Sequence, residues 1–149
     1  MQIKAPSAES IAVLILAPCE KTRASLLSIC AGGRFTVYEA TDLRQAVALF
    51  RRHAPPVAIC SSDWHDFIEI AGAAPRRTCV IVTDPFADEA LWAEVLNVGG
   101  FDVLAQPLDP IEVNRTVEAA FRRSAFSNRH SPVFEAAASV RRALAAAVP

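Results

Sequence analysis

The stretch VIVTDPFADEALWAEVLNVGGFDVLAQPLDPIEVNRTVEAAFRR, residues 80–123, decides the fold because it alternates between two structural periods. It begins within the apolar run CVIV at 79–82, which is typical of a strand buried on both faces. An amphipathic helix follows and ends at Gly99-Gly100. A short strand at 103–105 and a second amphipathic helix at 109–123 complete the stretch. The pattern predicts a strand–helix–strand–helix unit.

The same alternation extends towards the N-terminus. Further apolar runs predict strands at Ile11–Leu16 (IAVLIL), Phe35–Ala40 and Val57–Cys60. Further helices are predicted at Glu20–Ala31 and at about Asp66–Ala74. Another is predicted between a cap at Thr41 or Asp42 and a stop at Pro55-Pro56. Asp88 is the predicted cap of the helix that precedes Gly99. Five strands alternating with five helices predict an α/β fold, a flavodoxin-like doubly wound parallel sheet of order 2-1-3-4-5. In such a fold the functional crevice lies at the carboxyl ends of the strands.

The bulk composition fits one folded domain. The chain has 149 residues, of which 52% are hydrophobic, enough to fill one core. Its net charge of -1 gives no support for nucleic-acid binding, and its longest apolar run, Ile11 to Pro18, is far too short to span a membrane. The polar start at 1–9 lacks the layout of a signal peptide, so we expect a cytoplasmic protein without membrane contact.

Four cysteines occur in the chain, with no spacing that is typical of a metal site. Cys30, Cys60 and Cys79 lie in apolar stretches, where cysteine behaves as a small core residue. We therefore expect buried, reduced thiols, and a redox role is the alternative.

The order and spacing of these elements resemble the receiver domain of two-component response regulators, over about Ile11 to Arg123. Thr83 falls on the family's switch hydroxyl at the end of strand four, and Gln106-Pro107 falls on its Lys-Pro turn after strand five. The resemblance implies a phosphoryl group that passes from a histidine kinase to an aspartate at the end of strand three. An acidic pair ending strand one would help to hold Mg²⁺, and the lysine would pair with the phosphoryl oxygens.

Most of these side chains are replaced in this sequence. The acidic pair falls on Ala17 and Pro18, and neither residue can ligate a metal. The acceptor position falls on Ser61 and the lysine position on Gln106, so that only Thr83 is kept. Without clustered carboxylates and an opposing cation, nothing neutralises a phosphoryl group and its Mg²⁺. We therefore expect a degenerate pocket with no catalytic role, no metal and no cofactor.

The favoured function is a phosphorylation-independent signalling or adaptor protein that binds a kinase, an effector or itself. Two alternatives stay open. One is a still-switchable receiver that is phosphorylated at Asp63, with Glu20 and Asp84 as neighbouring acids. The other is a small-ligand sensor, in which the uncharged pocket at the strand ends holds a metabolite.

The resemblance also implies a partner-binding face, formed by the helix after strand four, strand five and the helix at 109–123. Trp92 and Val113 are candidate contact residues of that face. The position of Trp92 on the apolar stripe of its helix allows a second interpretation, simple core packing with Leu96.

Beyond the last predicted helix the composition changes. Residues 124–130 predict a polar linker, and 133–147 predict an Ala-rich amphipathic helix. Its apolar seam has a period of 3.5 and includes the candidate contact residues Val133, Val140 and Leu144. This helix could fold back on its own domain, pair with a second copy in a homodimer, or fray. The predicted organisation is a tail at 1–9, a receiver-like domain at 10–123, and a linker with a C-terminal helix at 124–149.

Overall fold

The computed structural model describes residues 10–32, 34–61, 72, 74–75, 77–97 and 99–126. The described strands are β1 (Ile11–Leu16), β2 (Phe35–Ala40), β3 (Val57–Ser61), β4 (Cys79–Asp84) and β5 (Asp102–Ala105). They form one parallel sheet in the order β2-β1-β3-β4-β5. The predicted flavodoxin-like sheet and its strand order are confirmed.

Helices connect the strands as expected. The described helices are α1 (Glu20–Ala31), α2 (Leu43–His53), α3 (Glu89–Asn97) and α4 (Pro110–Phe126). Except for two of its residues, the helix expected at about 66–74 lies outside the described residues, as do the tail at 1–9 and the C-terminal helix at 133–147. Within the described part of the chain, no helix is long and apolar enough to cross a membrane.

Both faces of the sheet are buried. Successive strand residues point to opposite faces, so Val13 and Ile15 lie in one buried cluster while Leu14 and Leu16 lie in the other. The helices α1 and α4 contribute to the first cluster, and α2 and α3 contribute to the second. This two-sided cover explains why the strands read as continuous apolar runs.

Side-chain caps set the start of two helices. The Asp42 carboxylate accepts a hydrogen bond from the backbone N–H of Gln45 at 2.8 Å, and Asp88 accepts one from Leu91 at 2.8 Å. Such caps satisfy backbone donors that the first helical turn leaves without partners. Asp88 is confirmed as a cap, and Asp42 is the cap of α2. Ala54, in the left-handed region with φ 44°, ends that helix just before the two prolines.

Three expectations for the helices are wrong. Val113 is fully buried in the core, so it cannot contact a partner. Trp92 does not pack in the core, because Val95 takes the buried position of α3 and Trp92 is 49% exposed. The helix α4 continues three residues beyond its predicted end at Arg123, since Ser124 is only 3% exposed and extends the buried stripe.

The cysteines differ in exposure and form no disulfide. Cys30 and Cys60 are buried as expected, Cys79 is half-buried, and Cys19 is exposed. Burial raises the pKa of the Cys30 thiol from its ordinary value of 9.0 to about 12, and that of Cys79 to about 11. Arg123 partly opposes the rise in the pKa of Cys79.

We predict that Gly100→Ala destabilises the fold. Gly100 donates a backbone hydrogen bond to the Val95 carbonyl at 2.8 Å, and a Cβ added there would collide with the Val95 side chain and lie 2.9 Å from its carbonyl oxygen. Urea unfolding should show a loss of about 1–3 kcal/mol in the free energy of unfolding. The control Gly32→Ala, whose nearest atom is 3.7 Å away, should stay within about 0.5 kcal/mol. Equal effects of the two variants would contradict this account.

We also predict that the Cys30 thiol resists labelling in the folded chain. Thiol reagents react with the thiolate, so at pH 8 Cys30 should react about 100-fold more slowly than the exposed Cys19. Mass spectrometry of labelled peptides checks the rates.

The raised pKa of Cys30 also predicts a pH dependence of stability. Because the folded state keeps a proton that the unfolded chain releases, the free energy of unfolding should fall as pH rises from about 9 to 12. In urea unfolding, Cys30→Ala should flatten this fall.

Candidate functional site

The carboxyl ends of four strands meet at one edge of the sheet. Ser61 pairs in register with Thr83, and Leu16 pairs with Cys60, so Ala17 follows beside Ser61. Ala105 pairs with Asp84, which places Gln106 just beyond the edge of β4. The positions that the resemblance singled out are therefore neighbours in space, as a parallel sheet requires.

A neutral hydrogen bond joins two of these positions. The Gln106 side-chain amide donates to the Thr83 hydroxyl at 3.2 Å, and the backbone N–H of Gln106 donates to the Asp84 carbonyl at 3.1 Å. Thr83 is fully buried and Ser61 nearly so. Every buried side-chain polar atom in the described part of the chain has a hydrogen-bond partner, which fixes these groups in position. The peptide bond between Gln106 and Pro107 is cis.

A cavity of about 580 Å³ opens at this edge of the sheet. Ser61, Thr83 and Gln106 line it, whereas Ala17 is fully buried behind it and Pro18 is exposed outside it. The other lining residues are Cys19, Lys21, Thr22, Ser25, Pro85, Pro107 and Leu108. The edge thus brings together three of the five expected positions in one cavity.

A cation occupies the end of β1. The Arg23 guanidinium donates from Nη1 to the Ala17 carbonyl oxygen at 2.7 Å. Its Nε lies 3.9 Å from a carboxylate oxygen of Glu39, the second-last residue of the neighbouring strand β2. An Arg–Glu pair therefore stands beside the position where the resemblance implies two acids.

The described acids near the edge do not form a metal site. Asp84 accepts a hydrogen bond from the backbone N–H of Phe86 at 2.7 Å, and neither it nor Glu20 lines the cavity. Asp63 lies outside the described residues. Across the described ranges, no group of three or more His, Cys, Asp or Glu side chains could hold a metal ion. Lys21 is the one charged residue of the described cavity wall.

The sequence analysis missed the contribution of α1. Lys21, Thr22 and Ser25 line the cavity because α1 starts four residues after β1 ends and its first turn lies beside the strand ends. Ser25 lies three and four residues after Thr22 and Lys21, spacings that place side chains on one side of a helix, but the sequence alone does not say which side meets the strand ends. The described lining thus combines hydroxyl, amide and ammonium groups with the apolar side chains of Pro85, Pro107 and Leu108, which suits binding rather than proton transfer.

No family model matches the sequence, and no curated protein matches it significantly. Comparison with solved structures does find similar chains. The signal receiver domain of an HD domain-containing protein from Pseudomonas fluorescens Pf-5 is 19% identical with a TM-score of 0.68, over 78% of this chain and 98% of that one.

Two further solved structures are similar in fold to a comparable degree. A response regulator from Thermotoga maritima is 16% identical with a TM-score of 0.68, over 76% of this chain and 98% of that one. The chemotaxis protein CheY4 from Vibrio cholerae is 18% identical with a TM-score of 0.66, over 74% of this chain and 98% of that one. The fold of this chain is that of response-regulator receiver domains.

Proposed function

We propose that this chain is a phosphorylation-independent signalling module that binds another protein and performs no catalysis. The observation that carries the proposal is the composition of the strand edge. The described cavity wall contains Lys21 as its one charged residue and contains no carboxylate.

Electrostatics supports the loss of phosphorylation. Mg²⁺ prefers hard oxygen ligands, chiefly carboxylates, and a phosphoryl group needs both the metal and a cation beside it. At this edge Ser61 and Gln106 supply neutral oxygens and an amide, and Arg23 adds positive charge at the end of β1. A divalent cation would meet repulsion here, because like charges raise the cost of placing it.

An exposed apolar surface supports protein binding. The large apolar side chains most exposed in the described ranges are Phe86, Trp92 and Ile111, with exposed fractions of 82%, 49% and 71%. They lie in the β4–α3 loop, in α3 and in the first turn of α4, which are the elements beside the edge strand β5. We call these three residues the β5-edge face. Exposed aromatic residues are typical of interfaces.

The partner that fits this face is a second copy of the chain. Glu112 and Arg115 are both exposed, three residues apart on α4, next to Ile111. In a two-fold symmetric pair, Glu112 of each copy can face Arg115 of the other, which gives two equivalent ion pairs. A kinase or an effector is the other class of partner. The contact residues expected at Val133, Val140 and Leu144 lie outside the described residues, and a cytoplasmic location stays a prediction.

We predict that phosphoryl donors leave the chain unchanged. Acetyl phosphate, or beryllofluoride with Mg²⁺, should produce no saturable NMR shift at the amides of Ser61 and Thr83, because the described residues of the edge offer no ligand set for the metal. Saturable shifts there would contradict the proposal. Phosphate incorporation that is lost in Asp63→Asn would establish the switchable receiver instead.

We also predict self-association through the β5-edge face. In sedimentation equilibrium the intact chain should dimerise, and Trp92→Ser should weaken the dimer about 1,000-fold because both copies lose a buried aromatic anchor that carries about 2 kcal/mol. Since Trp92 is half exposed in the monomer, circular dichroism should show an unchanged fold.

A charge swap tests the geometry of the pair. Glu112→Arg alone should weaken the dimer by up to about 30-fold, because the contact occurs twice in the pair and each surface ion pair is worth up to about 1 kcal/mol. Adding Arg115→Glu should restore the affinity of the original chain. A chain that stays monomeric, or a dimer that ignores Trp92→Ser, would exclude self-pairing through this face.

A further inference from the structure

The cavity at the strand ends is a feature that the proposed partner binding leaves unused. The residues of the β5-edge face do not line it. At about 580 Å³ the cavity has the size of a typical small-molecule site. Its walls therefore indicate what class of molecule it suits.

One wall of the cavity is rich in hydrogen-bond donors. Hydroxyls come from Thr22 and Ser25 on α1 and from Ser61 and Thr83 at the ends of β3 and β4. Hydroxyls also accept hydrogen bonds, so donors alone do not choose the charge of a ligand. The Lys21 ammonium, which only donates, makes that choice in favour of an anion.

The charged groups around the cavity support the same choice. Arg23 is bonded to the Ala17 carbonyl and paired with Glu39, so these two charges largely offset each other. The Asp84 carboxylate is bonded to the backbone N–H of Phe86 in its own loop. Glu20 is exposed on the first turn of α1 and does not line the cavity. The described part of the wall therefore presents the positive charge of Lys21 to an occupant.

Part of the cavity lining is apolar. Pro85 from the β4–α3 loop and Pro107 and Leu108 from the β5–α4 loop form it. These side chains offer no hydrogen bond, so water in contact with them is readily displaced by carbon. An inorganic oxyanion would leave these apolar side chains in contact with water, whereas a molecule with an apolar body would cover them.

We propose that the cavity binds a small organic anion without a metal: a carboxylate at Lys21 and the hydroxyl wall, with its apolar body against Pro85, Pro107 and Leu108. Lys21, the one charged residue of the described lining, matches a ligand that carries a single negative charge. This ligand class goes beyond the proposed partner binding, and it makes specific the alternative of a small-ligand sensor.

Sodium benzoate and its neutral counterpart benzamide are suitable probes, because they share the ring and differ in charge. In NMR titrations of the intact chain, benzoate should cause saturable shifts at the amides of Lys21, Thr22, Ser25, Thr83 and Leu108. Benzamide should bind about fivefold more weakly, the size of one ion pair at contact in a water-like medium. Absence of saturable shifts, or equal binding of the two probes, would overturn the proposal.

Two variants separate the contributions of the walls. Lys21→Gln should weaken benzoate about fivefold and leave benzamide unchanged, because only the anion uses the charge. Leu108→Ser should weaken both probes, because both use the apolar wall. Arg44→Gln, an exposed site on α2 away from the cavity wall, is the matched control and should change neither affinity. If Lys21→Gln lowers both affinities equally, charge recognition is wrong. Sedimentation of the same samples reports dimerisation separately.

Discussion

Burial of the sheet on both faces is the constraint on which the rest of this structure depends. The side chains of β1 alternate between two buried clusters, so neither face of the strand has room for a solvated polar group. Helices must cover both sides, and each strand must end before a polar residue can reach water. Chemistry is thereby confined to the edge of the sheet where Ser61, Thr83 and Gln106 come together.

At that edge the sign of the charge decides which ligands are allowed. The described residues of the wall include Lys21 and no acid, a composition that disfavours a divalent cation and favours an anion. The receiver fold is thus compatible with two opposite electrostatic sites at the same strand ends, which is why likeness of fold carries no conclusion about activity.

Much of the fold could be predicted from the sequence because the strands are continuous apolar runs. The strands β1 and β2 and the helix α1 occupy the predicted ranges, and Asp42 and Asp88 cap the predicted helices. The apolar pattern did not decide between core and surface for tryptophan, which occurs in both environments. Trp92 lies on an apolar stripe, yet α3 borders the short edge strand β5, where its indole N–H reaches Asp102 at 3.4 Å.

The candidate site was only half predictable for a related reason. The strand-end positions follow from the order of elements along the chain, but Lys21 and Ser25 look like ordinary surface residues of a helix. Only the packing of α1 turns them towards the cavity. The bond between Gln106 and Thr83 joins two uncharged groups, so screening by dissolved salt hardly weakens it. This hydrogen bond, which joins the ends of β4 and β5, should therefore persist across the range of ionic strengths that a cell experiences.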